Sequence, residues 1–158
     1  MVDIIHRIGI KASPAEVYAA LSTVDGVAGW WTRETTGTSR IGGLIRVRFL
    51  DHGRDGRGPV AEKGRADLEV IQLEPGKEVR WHVTAGPPEW IGTDVTFSLS
   101  EADGLTEVVF GHRNWREAVE FTAHCSMKWA TFLLSLREYV ERGTGRPSPD
   151  DVKIDNWN

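Results

Sequence analysis

The chain has 158 residues, the length of one ordinary domain and too few for two domains of usual size. Hydrophobic residues make up 40% and charged residues 27%, which excludes a disordered, collagen-like or coiled-coil chain. The net charge is −4, from 19 Lys+Arg against 23 Asp+Glu with the signs interspersed, and this balance argues against a nucleic-acid partner. We expect a single globular domain.

The only cysteine is Cys125, which has no partner for an internal disulfide and no histidine at zinc-binding spacing. We predict no metal and no cofactor, since Asp51, His52 and Asp55 in a glycine-rich segment form only a weak metal-binding pattern. The first ten residues lack the unbroken apolar run of a signal peptide, and no segment has the length of a membrane span. We therefore expect a cytoplasmic protein.

The predicted elements begin with a strand in which Ile4, His6, Ile8 and Ile10 share one face. The segment Ser13-Pro14-Ala15-Glu16 then has the residues of a helix start, with a serine cap and a proline in the first turn. The pair Asp25-Gly26 predicts the end of this helix, and a second short helix is expected from residue 27 to the pair at 30 and 31.

Residues 32–110 have the alternation and turn signals of an antiparallel sheet with one covered face. The segment from Asp51 to Pro59 predicts a polar, glycine-rich loop between two of its strands. The predicted strands are 35–38, 44–50, 63–73, 78–84, 91–100 and 106–112.

A long amphipathic helix is predicted from Trp115 to Arg142, ending at Gly143. Its broad apolar face should cover the sheet, whereas His124 and Lys128 fall on the opposite face and should contact solvent. The domain is therefore predicted to span residues 1–143, with residues 144–158 as a loosely docked C-terminal tail.

Several short motifs, spread along nearly the whole chain, are similar to those of one known superfamily. They are Ser13-Pro14-Ala15-Glu16-Val17-Tyr18, Trp30-Trp31, Glu74-Pro75 before Val79-Arg80-Trp81, and Trp129 followed by Leu133, Leu136, Tyr139, Val140 and Gly143. Together they resemble the SRPBCC, or START-like, superfamily, in its branch named for activators of heat-shock protein 90 ATPase. One departure is Lys128, where this branch often has glycine.

The resemblance implies an α+β helix-grip fold, as in the birch pollen allergen. In that fold a curved antiparallel sheet of six to seven strands wraps around a long C-terminal helix, and two short helices follow the first strand. Members include lipid and hormone binders, polyketide cyclases and aromatases, and co-chaperone domains. No shared catalytic residue can be carried over to this chain.

We therefore expect a binding domain for a small apolar or amphipathic molecule, with a cavity between the sheet and the C-terminal helix. The alternatives are a polyketide cyclase or aromatase-like enzyme and a co-chaperone-type interaction module. A chaperone partner is not predicted, because the resemblance covers one START-like domain. The sequence does not decide between a monomer and a homodimer.

Alternation along the strands and the helix predicts which side chains face this cavity. The predicted ligand-binding residues are Trp81, Val83, Val95, Phe97, Val108 and Phe110 on the sheet, and Phe121, Cys125, Trp129 and Phe132 on the helix. The alternative is that these side chains fill the interior completely, as is usual in proteins.

Two histidines are weak candidates for catalysis. His6 and His112 share the phase of inward residues on the first and last strands, which the fold places side by side. As a pair they could serve as acid and base in an enolisation or cyclisation. The alternative, which we favour, is that each is a strand-end histidine bonded to backbone or water, since no carboxylate partner is identifiable.

Overall fold

The computed structural model describes residues 1–51 and 61–158. The sheet consists of β1 (Val2–Ile10), β2 (Glu34–Gly37), β3 (Leu44–Asp51), β4 (Ala61–Glu74), β5 (Glu78–Ala85), β6 (Asp94–Ala102) and β7 (Leu105–Trp115). The helices are α1 (Pro14–Ser22), α2 (Val24–Trp30) and α3 (Glu120–Arg142). This is the expected α+β helix-grip fold, with a long C-terminal helix and two short helices after the first strand.

The seven strands form one antiparallel sheet in the order β1-β7-β6-β5-β4-β3-β2. The helices α1 and α2 carry the chain from β1 at one edge to β2 at the other, so that the first and last strands become neighbours. Because inward residues alternate along every long strand, α3 can cover one face of the sheet and bury it.

Side-chain caps explain where the two short helices begin. Ser13 Oγ accepts a hydrogen bond from the Glu16 amide at 3.2 Å, as its position before Pro14 predicted. Thr23 Oγ1 accepts a bond from the Gly26 amide at 3.0 Å, so α2 begins at residue 24 and not at the predicted residue 27. A Cβ at Gly26 would lie 2.7 Å from the main-chain oxygen of residue 20, so only glycine permits this close junction.

The long helix starts five residues later than predicted. Trp115 is fully buried at the end of β7, where it pairs with Val2, and its apolar side chain therefore belongs to the sheet. Thr122 Oγ1 accepts the amide hydrogen of Val119 at 3.1 Å where α3 begins. Gly143 ends the helix in the left-handed conformation with φ 84°, as predicted.

Residues 144–158 pack against the domain and are not loosely docked. Buried Ser135 of α3 donates to the Trp30 carbonyl at 2.8 Å and accepts the Arg146 amide hydrogen at 2.7 Å. The Ser148 amide donates to the Trp31 carbonyl at 2.8 Å, and Ser148 is itself buried. These bonds satisfy buried polar groups of α2 and α3, which is why the tail is held in place.

A buried hydrogen-bond chain joins α3 to the sheet. Trp129 Nε1 donates to His112 Nδ1 at 3.1 Å, so the imidazole proton lies on Nε2, which donates to Thr93 Oγ1 at 2.8 Å. The Thr93 hydroxyl in turn donates to the Trp90 carbonyl at 2.5 Å. Burial lowers the pKa of His112 to about 3, so this imidazole is neutral and acts as a fixed acceptor for Trp129.

The burial of neutral His112 in this hydrogen-bond chain should make the stability of the fold depend on pH. Unfolded His112 binds a proton below pH 6.5 and folded His112 only below about 3, so folding stability falls as the pH drops between these values. In this range the free energy of unfolding should fall by up to about 1.4 kcal/mol for each unit that the pH drops. His112→Gln should be less stable at pH 7.5 by about 1–3 kcal/mol, and the difference from the native protein should shrink towards pH 4.

Urea denaturation at pH 7.5, 6 and 4.5 measures this effect. Thr93→Val is the matched control, because it breaks the same hydrogen-bond chain but keeps the imidazole and its pH dependence. Parallel stability curves for native protein and His112→Gln would show that His112 is not buried in its neutral form.

Candidate functional site

A cavity of about 150 Å³ lies between the N-terminal half of α3, the paired ends of β3 and β4, the segment joining β5 to β6, and the C-terminal segment. Most of its wall is apolar, and charged side chains gather at one side. The lining residues are Trp31, Phe49, Lys63, Gly64, Arg65, Pro87, Trp90, Phe121, His124, Cys125, Lys128, Trp129, Phe132, Ser148, Asp151, Trp157 and Asn158.

The wall contains three buried tryptophan rings, of which Trp129 contacts the other two. The rings of Trp31 and Trp129 have centroids 4.9 Å apart, and those of Trp90 and Trp129 are stacked at 6.3 Å. Phe49 contacts Trp31 edge-on at 5.7 Å. These rings form an aromatic part of the cavity wall.

A glycine on the inward face of β4 leaves this space open. Gly64 has the same phase as Ala66 and Leu68, both of which are buried in the core. Of the side chains that the structure describes, a Cβ added at position 64 would meet only Phe49, at 3.9 Å. The cavity thus exists where the strand carries no side chain to fill it.

Lys128 lines the cavity and is largely covered, whereas the sequence predicted that its side chain would contact solvent. Its side chain is only 11% exposed, pairs with Asp151 and donates to the Val152 carbonyl at 2.7 Å. Its ammonium also lies 5.0 Å from the centre of the Phe132 ring. Burial lowers the pKa of Lys128, although the bond to Asp151 opposes the shift. The helix phase is as expected, but the C-terminal segment covers this face.

Two further lysines lie near the same carboxylate. Lys153 Nζ is 3.2 Å from Asp151 Oδ1, and Lys63 donates to the main-chain oxygen of Asn158 at 2.8 Å. Burial and the charge of Lys153 lower the pKa of Lys63. Burial acts to raise the pKa of Asp151, but the bond and charge of Lys128 prevail and lower it. The site therefore holds an ionised Asp151 among three cations.

Two further titratable residues of the wall are His124 and Cys125. His124 Nδ1 is 2.7 Å from Asp155 Oδ2, and the centroids of the His124 and Trp157 rings are 5.4 Å apart. The prediction that His124 contacts solvent is therefore wrong, because Asp155 and Trp157 cover it. Burial raises the pKa of the Cys125 thiol to about 12. Cys125 is thus a wall residue and not a nucleophile.

The predicted ligand-binding residues divide into two groups. The four on the helix, Phe121, Cys125, Trp129 and Phe132, line the cavity. The six on the sheet, Trp81, Val83, Val95, Phe97, Val108 and Phe110, are fully buried and do not border it. Trp129 contacts Phe110 at 4.6 Å and Trp31 stacks on Trp81 at 5.9 Å, so these tryptophans separate the sheet residues from the cavity.

Sequence reasoning did not assign the other aromatic wall residues or the lysines to the site. Trp31 was expected to plug the edge of the sheet, and Trp90 lies outside the predicted strands. Phe49 has the phase of the inward residues of its predicted strand, but it was not assigned to the site. The inward phase of Gly64, in a strand otherwise lined with larger side chains, is the one signal that could have indicated the space.

The two candidate histidines have different surroundings, and neither lines the cavity. His6 Nε2 is 3.0 Å from the Ser126 carbonyl oxygen, beside a groove between β1 and α3. His112 lies in the core, where both ring nitrogens are hydrogen bonded. The two histidines are not paired across β1 and β7, because His6 pairs with Phe110 and His112 pairs with Ile4.

Within residues 1–51 and 61–158, no group of three or more His, Cys, Asp or Glu side chains has the arrangement of a metal site. His52 and Asp55 of the weak metal-binding pattern lie outside these residues. None of the helices in the same ranges is both long and apolar enough to cross a membrane.

The comparisons with solved structures found the same fold in several proteins. The Aha1 dimer from Colwellia psychrerythraea, a solution structure, is 43% identical, covers 92% of this chain and 100% of its own, and has a TM-score of 0.74. CalU16 from Micromonospora echinospora is 19% identical over 89% of this chain and 77% of its own, with a TM-score of 0.66.

DynU16, described as a putative protein in the dynemicin biosynthetic locus, is 21% identical over 90% of this chain and 48% of its own, with a TM-score of 0.68. At these identities the likeness to CalU16 and DynU16 shows the fold alone. The comparison with curated proteins gave no match.

The family described as Activator of Hsp90 ATPase homolog 1-like protein matches residues 11–141. This range starts before α1 and ends one residue before the end of α3. The matched residues hold every motif residue on which the resemblance rested except Gly143, and the Colwellia protein is 43% identical. The chain belongs to the Activator of Hsp90 ATPase homolog 1-like family.

Proposed function

We propose that this protein binds a small, largely apolar molecule in the cavity under α3. The observation that carries the proposal is the wall of Trp31, Trp90 and Trp129, which borders a space that no side chain of residues 1–51 and 61–158 occupies. Residues 1–143 form the binding domain in this proposal, and residues 144–158 are a tail that closes one side of the cavity.

The volume limits what the cavity can hold. Apolar protein cavities of about 150 Å³ bind benzene, so the part of the ligand inside this cavity has the size of one aromatic ring. A longer ligand would extend past the rim between Lys63 and Trp157, which are both exposed.

Binding explains these residues better than the cyclase or aromatase alternative. A cyclisation needs an acid or a base aimed at the substrate. His112 is buried, neutral and fully hydrogen bonded, and His6 lies beside a different groove. The Cys125 thiol has a pKa of about 12 and stays protonated. A co-chaperone-type module would use an exposed surface and has no need of an aromatic cavity.

Filling the cavity tests the proposal. In Gly64→Leu the new side chain should occupy the space beside Phe49, because position 64 has no positive φ and a Cβ there would meet Phe49 alone among the described residues. Binding of benzyl alcohol should weaken at least about tenfold, whereas the stability should stay the same or rise because a void is filled. Calorimetric titration and urea denaturation measure the two quantities.

The matched control is Ala61→Leu, which adds the same side chain at an exposed position of the same strand. It should bind benzyl alcohol as the native protein does. Equal binding by Gly64→Leu, or no binding of benzyl alcohol to the native protein, would contradict a ligand in this cavity.

We also propose that two copies of the chain associate through the groove between β1 and α3. Support comes from the 43% identical Colwellia protein, which was solved as a dimer. Met127 and Leu134 are 57% and 49% exposed, lie two turns apart on the outer side of α3, and Leu134 borders this groove. Among the described strands β1 lies at the edge of the sheet, so its outer main-chain groups belong to the same surface.

A charge in this groove should weaken the dimer. Leu134→Glu should raise the dimer dissociation constant at least about tenfold, because a carboxylate would be buried at the interface. Ile71→Glu, at an exposed apolar position on β4, is the control and should leave it unchanged. Analytical ultracentrifugation over a concentration series decides, and a native protein that stays monomeric at high concentration would refute the proposal.

A further inference from the structure

We propose that the ligand of this cavity is an aromatic anion, with its ring between the tryptophans and a carboxylate-type group at Lys63 and Lys128. This inference rests on the proposed function and adds the chemical class of the ligand. It is carried by the charges and the hydrogen-bond donors on one side of the cavity.

Among the described residues that line the cavity, the two lysines, Lys63 and Lys128, outnumber the one carboxylate, Asp151. Lys153 also contacts Asp151, while Asp51 and Asp155 act on Lys63 and Lys128 from outside the lining. The other charged lining residues, Arg65 and His124, have their own acidic partners in Glu62 and Asp155. Lys63 forms no ion pair with a side-chain carboxylate in the described part of the chain. The excess of positive charge favours an anion over a neutral or cationic ligand.

Hydrogen-bond donors remain available on the same lysines. An ammonium group carries three N–H donors. Lys128 uses two of them, for Asp151 and the Val152 carbonyl, and Lys63 uses one, for Asn158. Both side chains line the cavity, so a carboxylate at its rim could accept bonds from both ammonium groups.

The burial of Lys128 makes this compensation effective. Its side chain is only 11% exposed and burial lowers its pKa, whereas Lys63 lies at the exposed rim. Removing a cation from water is costly unless an anion pairs with it. A bound carboxylate would compensate the ammonium group of Lys128 for its lost hydration, whereas a bound protonated amine would add a further positive charge.

Three probes of one size separate charge from shape, namely benzoate, benzyl alcohol and benzylamine. The native protein should bind benzoate at least about tenfold more tightly than benzyl alcohol, a ratio expected from charge-assisted hydrogen bonds, and benzylamine most weakly. Calorimetric titration at low ionic strength gives the three dissociation constants.

Lys63→Glu reverses one charge at an exposed position, so the fold should be unaffected. We expect benzoate to bind at least about tenfold more weakly and benzylamine more tightly, with benzyl alcohol within about twofold. Lys77→Glu, on the turn between β4 and β5, is the matched control and should leave all three constants unchanged.

The outcomes distinguish the two proposals. If benzyl alcohol binds the native protein as tightly as benzoate does, or if Lys63→Glu leaves benzoate binding unchanged, the anion preference is refuted and the binding function stands. If none of the three probes binds, both proposals fail.

Discussion

The contact of Trp129 with the sheet is the interaction on which the site depends. Its ring lies 4.6 Å from that of Phe110 and 4.9 Å from that of Trp31, measured between centroids, and its N–H is bonded to His112. These contacts set how closely the N-terminal half of α3 approaches β7. Because the ring is large and its orientation is held by a hydrogen bond, it cannot turn to fill the space at its own edge. That space is the cavity, and Gly64 on the opposite wall leaves it empty.

The C-terminal segment turns this space into a site with a charged side. Helix α3 alone would present Lys128 and His124 to solvent, as its periodicity indicates. The segment returns across this face through the bonds of Ser148 and Arg146, and it places Asp151 against Lys128. The result is an apolar aromatic compartment next to buried charges, an arrangement that suits an amphipathic molecule better than a purely apolar one.

Local rules were sufficient to predict the architecture from the sequence. Caps at Ser13 and Gly143 and the alternation in β3 to β7 are short-range signals, and the structure confirms the helix-grip fold they indicate. The start of α3 was misplaced because residues 115–119 contain no proline or glycine, and only the tertiary burial of Trp115 shows that it belongs to β7.

The site was harder to predict, for a physical reason. Periodicity tells which side chains point inward, but it does not tell which of them are covered by others. Phe97 and Phe110 point inward and lie beneath a layer of tryptophans, whereas Phe121 and Phe132 reach the cavity. Lys128 points outward on its helix and is nevertheless enclosed, because a segment without helical or strand periodicity folds over it.

Ligand binding under α3 depends on a ring-sized apolar space between Trp31, Cys125 and Trp129. A crystal structure of the protein under xenon pressure would reveal this space, since xenon enters dry apolar cavities and is located by its scattering. We predict a xenon atom in contact with Trp129 and Cys125, next to Gly64. The absence of xenon there, with the side chains of Phe49 and Lys63 folded into the space, would show that the cavity does not exist.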